Sequence, residues 1–244
     1  MKPNYGVTAL VPAYNEAPRI AVVLETILSY PYIDETIVID DGSTDGTGEV
    51  ANKFPVQLLS FEENRGKGAA LQLGLDNTPD TDFYVFLDAD LVNLMHEHIN
   101  SLLEPLLNHN HVFMTVGTFR SGQKNSVNLA QHYFSILNGQ RALKKKFASI
   151  LPDLSWSKFG VEILLSKYAE LSGHEVHYPE LYSITHVTKE EKLGFLKGFR
   201  YRLQMFQECL FSLFNYKKMI LKYPGNTPSH VLEKLSKINN AART

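Results

Sequence analysis

Five short runs rich in apolar and β-branched residues recur through the first half of the chain, at residues 7–11, 36–40, 56–60, 84–87 and 112–118. Stretches of helical character separate them, at 19–29, 44–54, 67–75 and 96–107. Strands that are apolar on both faces need cover on both faces. A mostly parallel sheet flanked by helices provides it, so the pattern predicts an α/β fold. In such sheets ligands bind beyond the carboxyl ends of the strands. The polar clusters fall there: "PAYNE" follows the first run, "DDGSTDGT" ends the second, "ENRGKG" follows the third and "DAD" ends the fourth. Four loops are thereby expected to converge on one sheet edge.

Beyond residue 121 the rhythm changes. Residues 126–147 and 161–171 read as helical, and "EVHYPELYSITHV" reads as two short strands broken at Pro179. Residues 192–223 form a long amphipathic stretch. Leu196, Phe199, Leu203, Phe206, Leu210 and Leu213 recur at helical spacing, flanked by Lys197, Arg200, Arg202, Lys217, Lys218 and Lys222. The expected organisation is one domain over 1–191 and a helical C-terminal extension over 192–244. The apolar face of that extension packs on the domain, meets a second subunit in a homodimer, or lies in a membrane surface.

The formal net charge is −2, which gives no general attraction to nucleic acid. Cys209 is the single cysteine, so neither an internal disulfide nor a cysteine-based zinc cluster can form. A reducing cytoplasm is the expected compartment. No apolar run approaches the roughly 18 residues of a bilayer-spanning helix, so any membrane contact, at the inner face, is expected to be peripheral, through 196–223.

Asp88 and Asp90, separated by Ala89, end a buried strand, and Asp40-Asp41 end a neighbouring one. Like charges gathered at one edge repel unless a cation or a donor-rich ligand neutralises them. Paired carboxylates suit a hard divalent ion, Mg²⁺ or Mn²⁺, shared with phosphate oxygens. A dinucleotide fold needs Gly-x-Gly-x-x-Gly where this chain has "VPAYNE", and "NRGKG" is too short for a phosphate-binding loop of the Walker type. A receiver domain would be about half as long and would carry its acid pair after the first strand.

"VPAYNE", "VIDDGSTDGT", "NRGKGAAL" and "FLDAD" resemble, in order and spacing, the successive signatures of family 2 glycosyltransferases. That family adopts the GT-A fold and includes the dolichyl-phosphate mannosyltransferases. The resemblance implies a nucleoside pocket lined by Pro12, Tyr14 and Glu16, with Asp40 and Asp41 near base and ribose. It puts Lys67 near the base or diphosphate, Asp88 and Ala89 against the donor, and Asp90 on the metal. The later pieces "NGQRAL", "FGVE" and "THVTKEEKLG" are similar in order to glucosyl-3-phosphoglycerate synthases. By that likeness His186 completes the metal shell and Glu162 approaches the reacting sugar, as a base toward an acceptor hydroxyl or as a group that holds the acceptor. Arg141, and Arg120 after the fifth strand, are candidates to pair with an anionic acceptor or the diphosphate. His96, His98, His109 and His111 are expected at the solvated surface. The implied activity is metal-dependent sugar transfer from a UDP- or GDP-sugar to an acceptor hydroxyl on a small or lipid-linked molecule. A polyprenyl-phosphate glycosyltransferase and a nucleotide-sugar-binding protein without turnover are the alternatives.

Overall fold

The computed structural model describes residues 5–120, 137–186 and 195–241, and a seven-stranded sheet lies at its centre. The first half runs β1 (Val7–Ala13), α1 (Ile20–Ser29), β2 (Glu35–Asp40), α2 (Thr47–Ala51), β3 (Gln57–Ser60), α3 (Lys67–Asp76), β4 (Phe83–Phe86), β5 (Leu91–Val92), α4 (His96–Asn108), β6 (Val112–Val116) and β7 (Thr118–Arg120). The second half adds β8 (Arg141–Lys144), α5 (Lys145–Ala148), a 3₁₀ turn (Ser155–Gly160), α6 (Val161–Ser172), β9 (Glu175–His177), β10 (Glu180–Tyr182), β11 (Thr185–His186), α7 (Phe195–Lys222) and α8 (Ser229–Ala241). The strand order is β3-β2-β1-β4-β8-β6-β9, parallel except where β8 runs against both neighbours.

Alternation along the strands builds a core on each face. Val7, Ala9 and Val11 of β1 point to one side and pack with Ile20, Leu24 and Ile27 of α1 and with Ile99 and Leu102 of α4. Leu10, Ile37 and Ile39 point to the other and pack with Ala70 and Leu71 of α3, Leu164 of α6, Ile220 of α7 and Leu235 of α8. All of these are essentially buried, so the strands are covered on both faces, as their near-continuous apolar character requires.

The structure departs from the sequence reading at three places. The helix expected over 126–147 ends as a strand: Arg141, Ala142 and Leu143 are buried in β8 between β4 and β6, and only Lys145–Ala148 turns helical. Ala, Leu and Lys are good helix formers, but propensity is a small term and pairing on two sides outweighs it; residues 126–136 lie outside the described residues. The run 112–118 divides at Gly117, after which β7 leaves the main sheet to pair with β10. His98 is buried rather than solvated: its Nδ1 accepts the Met95 N–H at 3.1 Å and its Nε2 meets the Tyr182 carbonyl at 2.8 Å.

In α7, of the three surroundings open to its apolar face, packing on the domain does not apply to Phe199, Leu203, Phe206 and Leu210, which are exposed. The side chains of Leu196 and Lys197 lie outside the described residues. The helix packs instead through Cys209, Ser212 and Ile220. Small groups at Cys209 and Ser212 let its backbone come close to the Phe159-Gly160 segment.

Close approach also explains the second glycine of "NRGKG". A Cβ on Gly68 would lie 2.3 Å from Ser157 Oγ and 2.4 Å from the Leu154 carbonyl oxygen, so α3 meets the 3₁₀ turn with no room for a side chain. Gly68→Ala is expected to lower the unfolding free energy by about 1–3 kcal/mol through overpacking, read as a shift in urea midpoint. An unchanged midpoint would show that the turn yields freely at this contact.

Candidate active site

The carboxyl ends of β1, β2 and β4 and the start of α3 surround a cavity of about 440 Å³, closed on its far side by α6 and α7. Pro12 and Tyr14 enter from the end of β1, Asp41 from the end of β2, and Lys67 from the first turn of α3. Asp88, Ala89 and Asp90 follow β4, and Glu162 stands in the first turn of α6. The antiparallel pair β5–β11 sets His186 opposite Leu91, which brings its Nδ1 within 3.8 Å of Asp90 Oδ1. Asp88, Asp90 and His186 can each offer one ligand atom, all within 4.8 Å of one another.

Lys67 is the electrostatic centre. Its Nζ lies 2.5 Å from Asp88 Oδ1 and 2.7 Å from Glu162 Oε1. Burial alone would depress the ammonium's pKa, but the two carboxylates more than reverse this and hold it above its usual range. Burial likewise pushes the Asp88 carboxyl up, and the Lys67 charge, helped by His186, brings it below the usual carboxylate range. Asp88 Oδ2 accepts a hydrogen bond from Gln140 Nε2 at 3.0 Å, so both oxygens of Asp88 are engaged by the protein. With Asp88 so engaged, Asp90 and His186 are the members of the group that could hold a divalent ion, a mixed oxygen and imidazole set of the kind Mn²⁺ or Mg²⁺ accepts alongside phosphate and water oxygens.

Asp41 organises the loop before α3. Its carboxylate accepts the Arg65 N–H at 2.7 Å, the Gly66 N–H at 2.9 Å and Asn64 Nδ2 at 3.0 Å. Burial pushes its pKa up against these donors, and the neighbouring Asp40 adds to the rise. Asp40 itself is buried beneath the wall, where it accepts the Ser43 N–H at 3.0 Å. Glu16 lines the cavity and pairs with Arg19 at 3.2 Å.

The two arginines considered as anion clamps are placed elsewhere. Arg141 is 1% exposed, with Nε donating to the Asn138 carbonyl at 3.0 Å and Nη1 to Ser166 Oγ at 2.9 Å. Burial pushes its pKa down to about 10, opposed by Glu162, so it remains charged as an internal brace under the site. Arg120 pairs with Glu180 across the β7–β10 ribbon, Nε to Oε1 at 2.8 Å, away from the cavity wall. Conversely, Arg202, Met205 and Phe206 of α7 line the cavity. Their sequence signal, basic and apolar residues at helical spacing, points to packing or to a surface and not to a ligand site. Gln140 was passed over for its neighbour Arg141.

Residues 8–161 match the model of a known family, described as glycosyl transferase family 2. The chain belongs to that family. In an alignment of 89 residues that covers 30% of the chain, this family 2 member is 35% identical to the dolichyl-phosphate beta-glucosyltransferase of Homo sapiens, covering 28% of that protein. Over 92 residues, or 36% of the chain, it is 36% identical to a poly-beta-1,6-N-acetyl-D-glucosamine synthase of Staphylococcus aureus, covering 22% of that protein. The matches thus span under a third of these relatives' own lengths. Among solved structures, glucosyl-3-phosphoglycerate synthase of Mycobacterium tuberculosis superposes with a TM-score of 0.71 at 22% identity, over 93% of this chain and 82% of that one. A second structure of that enzyme, with Mg²⁺ and UDP, superposes with a TM-score of 0.63 at 25% identity, over 84% and 80%. The fold is GT-A, as the motifs implied.

Replacing Lys67 by Met leaves Asp88 and Glu162 buried without their cation. Breaking a buried pair in this way costs about 3–5 kcal/mol near neutral pH, read by urea denaturation in chelator. In the wild-type chain the depressed Asp88 pKa contributes stability above the unfolded value, near 4, and loses it as pH falls further. In Lys67→Met burial acts unopposed by the ammonium, so Asp88 is better tolerated protonated. The difference between the two proteins is therefore expected to shrink from pH 7 to pH 5. A penalty independent of pH would show that Lys67 acts by packing alone.

Proposed function

We propose that the chain transfers a sugar from a nucleotide-diphosphate sugar to an acceptor hydroxyl, with a divalent ion held by Asp90 and His186. The observation that carries this reading is the meeting of Asp88, Asp90, His186, Lys67 and Glu162 around one cavity. Transfer breaks the bond between the sugar's anomeric carbon and the diphosphate as the acceptor oxygen bonds that carbon, and the charge on the departing nucleoside diphosphate is what a bound divalent ion would stabilise. Pro12, Tyr14, Glu16 and Asp41 form the nucleoside side of the cavity, with Asp40 bracing the wall behind Asp41. Asp88, clasped on both oxygens, and Ala89 meet the ribose or the sugar. Glu162, with Oε1 against Lys67, takes the acceptor hydroxyl through its second oxygen and holds it or accepts its proton. The UDP named with Mn²⁺ or Mg²⁺ in the mycobacterial structures supports a UDP-sugar as donor over a GDP-sugar. Arg202 is the arginine that lines the cavity and so the first candidate to face an acceptor's anionic group.

The test is donor turnover, to product or to water, with UDP-, GDP- and ADP-sugars and Mn²⁺. Asp90→Asn is expected to lower kcat at least ~100-fold, since loss of several kcal/mol of charge stabilisation corresponds to that or more. Turnover indifferent to both chelator and Asp90→Asn would sink the metal-dependent reading. Binding without any turnover would favour a non-catalytic nucleotide-sugar-binding protein.

A second reading concerns where the acceptor resides. Phe199, Leu203, Phe206, Leu210, Phe211 and Phe214 of α7 are exposed, and Phe206 also lines the cavity. An exposed apolar face flanked by basic residues suits a helix lying in a membrane surface. A lipid-linked acceptor would then enter along α7, consistent with a polyprenyl-phosphate glycosyltransferase. No helix among the described residues is long and apolar enough to cross a membrane. Leu210→Ser with Phe214→Ser is expected to reduce flotation with anionic vesicles severalfold while soluble-donor hydrolysis persists. Vesicle binding unchanged by the pair would remove the membrane reading. A concentration-dependent sedimentation shift lost in the pair would assign the face to a homodimer instead.

A further inference from the structure

The acid that the proposed reaction places against the donor is gripped by a single amide from two sides. The Asp88 backbone N–H donates to Gln140 Oε1 at 3.0 Å, and Gln140 Nε2 donates to Asp88 Oδ2 at 3.0 Å. Gln140 is 0% exposed, so neither bond is shared with bulk water. Its own position is fixed from below. The Gln140 carbonyl accepts the Gly117 N–H at 2.8 Å, its backbone N–H reaches Asn138 Oδ1 at 3.3 Å, and Asn138 Nδ2 donates back to the Gly117 carbonyl. The clasp is therefore anchored at the carboxyl end of β6, one strand beyond β8.

The chemistry of the amide matters. A primary amide carries one carbonyl acceptor and two N–H donors. Asp88 presents one N–H and one carboxylate oxygen to it, and only one orientation of the amide satisfies both. A carboxylate at position 140 could not donate to Oδ2, and an apolar side chain could do neither. Lys67 holds the other oxygen, Oδ1, at 2.5 Å. With a rigid donor on each oxygen the carboxylate plane is set before any donor arrives, which is the condition for orienting a substrate without reorganisation. The adjoining Gly139 is part of the same device. A Cβ there would fall 2.4 Å from Lys67 Nζ and 2.5 Å from Asp88 Oδ2, wedged into the contact.

We propose that Gln140 is a positioning residue for sugar transfer, acting through Asp88, and that "NGQR" is built around this clasp rather than around Arg141. The proposal rests on the reading of Asp88 as the group that meets the donor. A glutamine that merely filled the core would change stability and leave the chemistry alone, so the deciding measurement is a cycle of Gln140→Leu and Asp88→Asn. Each protein is assayed with radiolabelled UDP-glucose and Mn²⁺, and UDP affinity is measured in parallel. Gln140→Leu is expected to lower kcat at least about 30-fold, within the ~10²-fold that an ångström of misplacement costs. UDP affinity should stay within about 3-fold, and the kcat effect should fall below about 3-fold in the Asp88→Asn background, because interacting sites are not additive. Equal losses in both backgrounds, or a kcat close to wild type, would overturn it. If Gln140→Leu does not fold, Gln140→Asn, too short to make both bonds, takes its place in the cycle. If the wild-type chain turns over no nucleotide sugar, the functional reading fails on its own. The clasp is then judged from a ligand-free crystal structure of the variant. Asp88 turned away from Lys67 upholds it, and Asp88 unmoved refutes it.

Discussion

Two carboxylates buried at the ends of different elements repel each other and give up their hydration, and each loss costs several kcal/mol unless a cation stands between them. Here the cation is Lys67, between Asp88 at the end of β4 and Glu162 at the start of α6. In sequence these acids are separated by every element from β5 to the 3₁₀ turn. The ammonium therefore joins the parallel half of the sheet to the helices that follow it. Because it comes from the first turn of α3, the placement of that helix decides whether the three groups meet. Gly68 allows α3 to come down on the 3₁₀ turn, and Asp41 gathers the backbone N–H groups of the loop that leads into it.

The far side of the site depends on α7 in the same way. Glu208 Oε2 accepts the Phe159 N–H at 3.4 Å and Cys209 Sγ lies 3.4 Å from the Phe159 carbonyl, so the helix clasps the segment that delivers Glu162. Burial pushes the Cys209 thiol up to about 12, which leaves it a neutral, inert packing group. One helix thus performs two tasks on two faces. Its small residues brace the wall of the cavity, and its large apolar residues face outward.

The donor half of this arrangement was legible in the sequence because each loop there follows a strand that is apolar on both faces. Buried strands and their ends can be located from composition, and a sheet edge then gathers whatever residues the ends carry. Asp88, Asp90 and Asp41 were found in this way, whereas Lys67 was placed through family resemblance. His186 was reached only through family resemblance, since the two-residue pairing of β11 with β5 leaves no pattern of its own. Arg141 shows the limit of reading residues by type. A guanidinium two residues after a glycine suggests an anion clamp, but β8 is an interior strand, and strand alternation turns Arg141 down into the core while Gln140 faces Asp88. The helical look of 141–144 concealed that alternation.

The wall contributed by α7 was the least legible part, and the reason is physical. A long helix with basic and apolar residues on several faces fits many surroundings, and only tertiary contact decides which face is packed. The outcome separates the two sides of the proposed reaction. The donor side is built from strand ends and a helix N-terminus whose backbone is locked by the core, so a change there disturbs the sheet. Arg202, Met205 and Phe206 reach the cavity from the exposed side of a helix that is held by other residues, Cys209, Ser212 and Ile220. Side chains on that face can be altered with little cost to folding. On the proposed reading this is where acceptor choice is set, on a surface continuous with whatever α7 lies against.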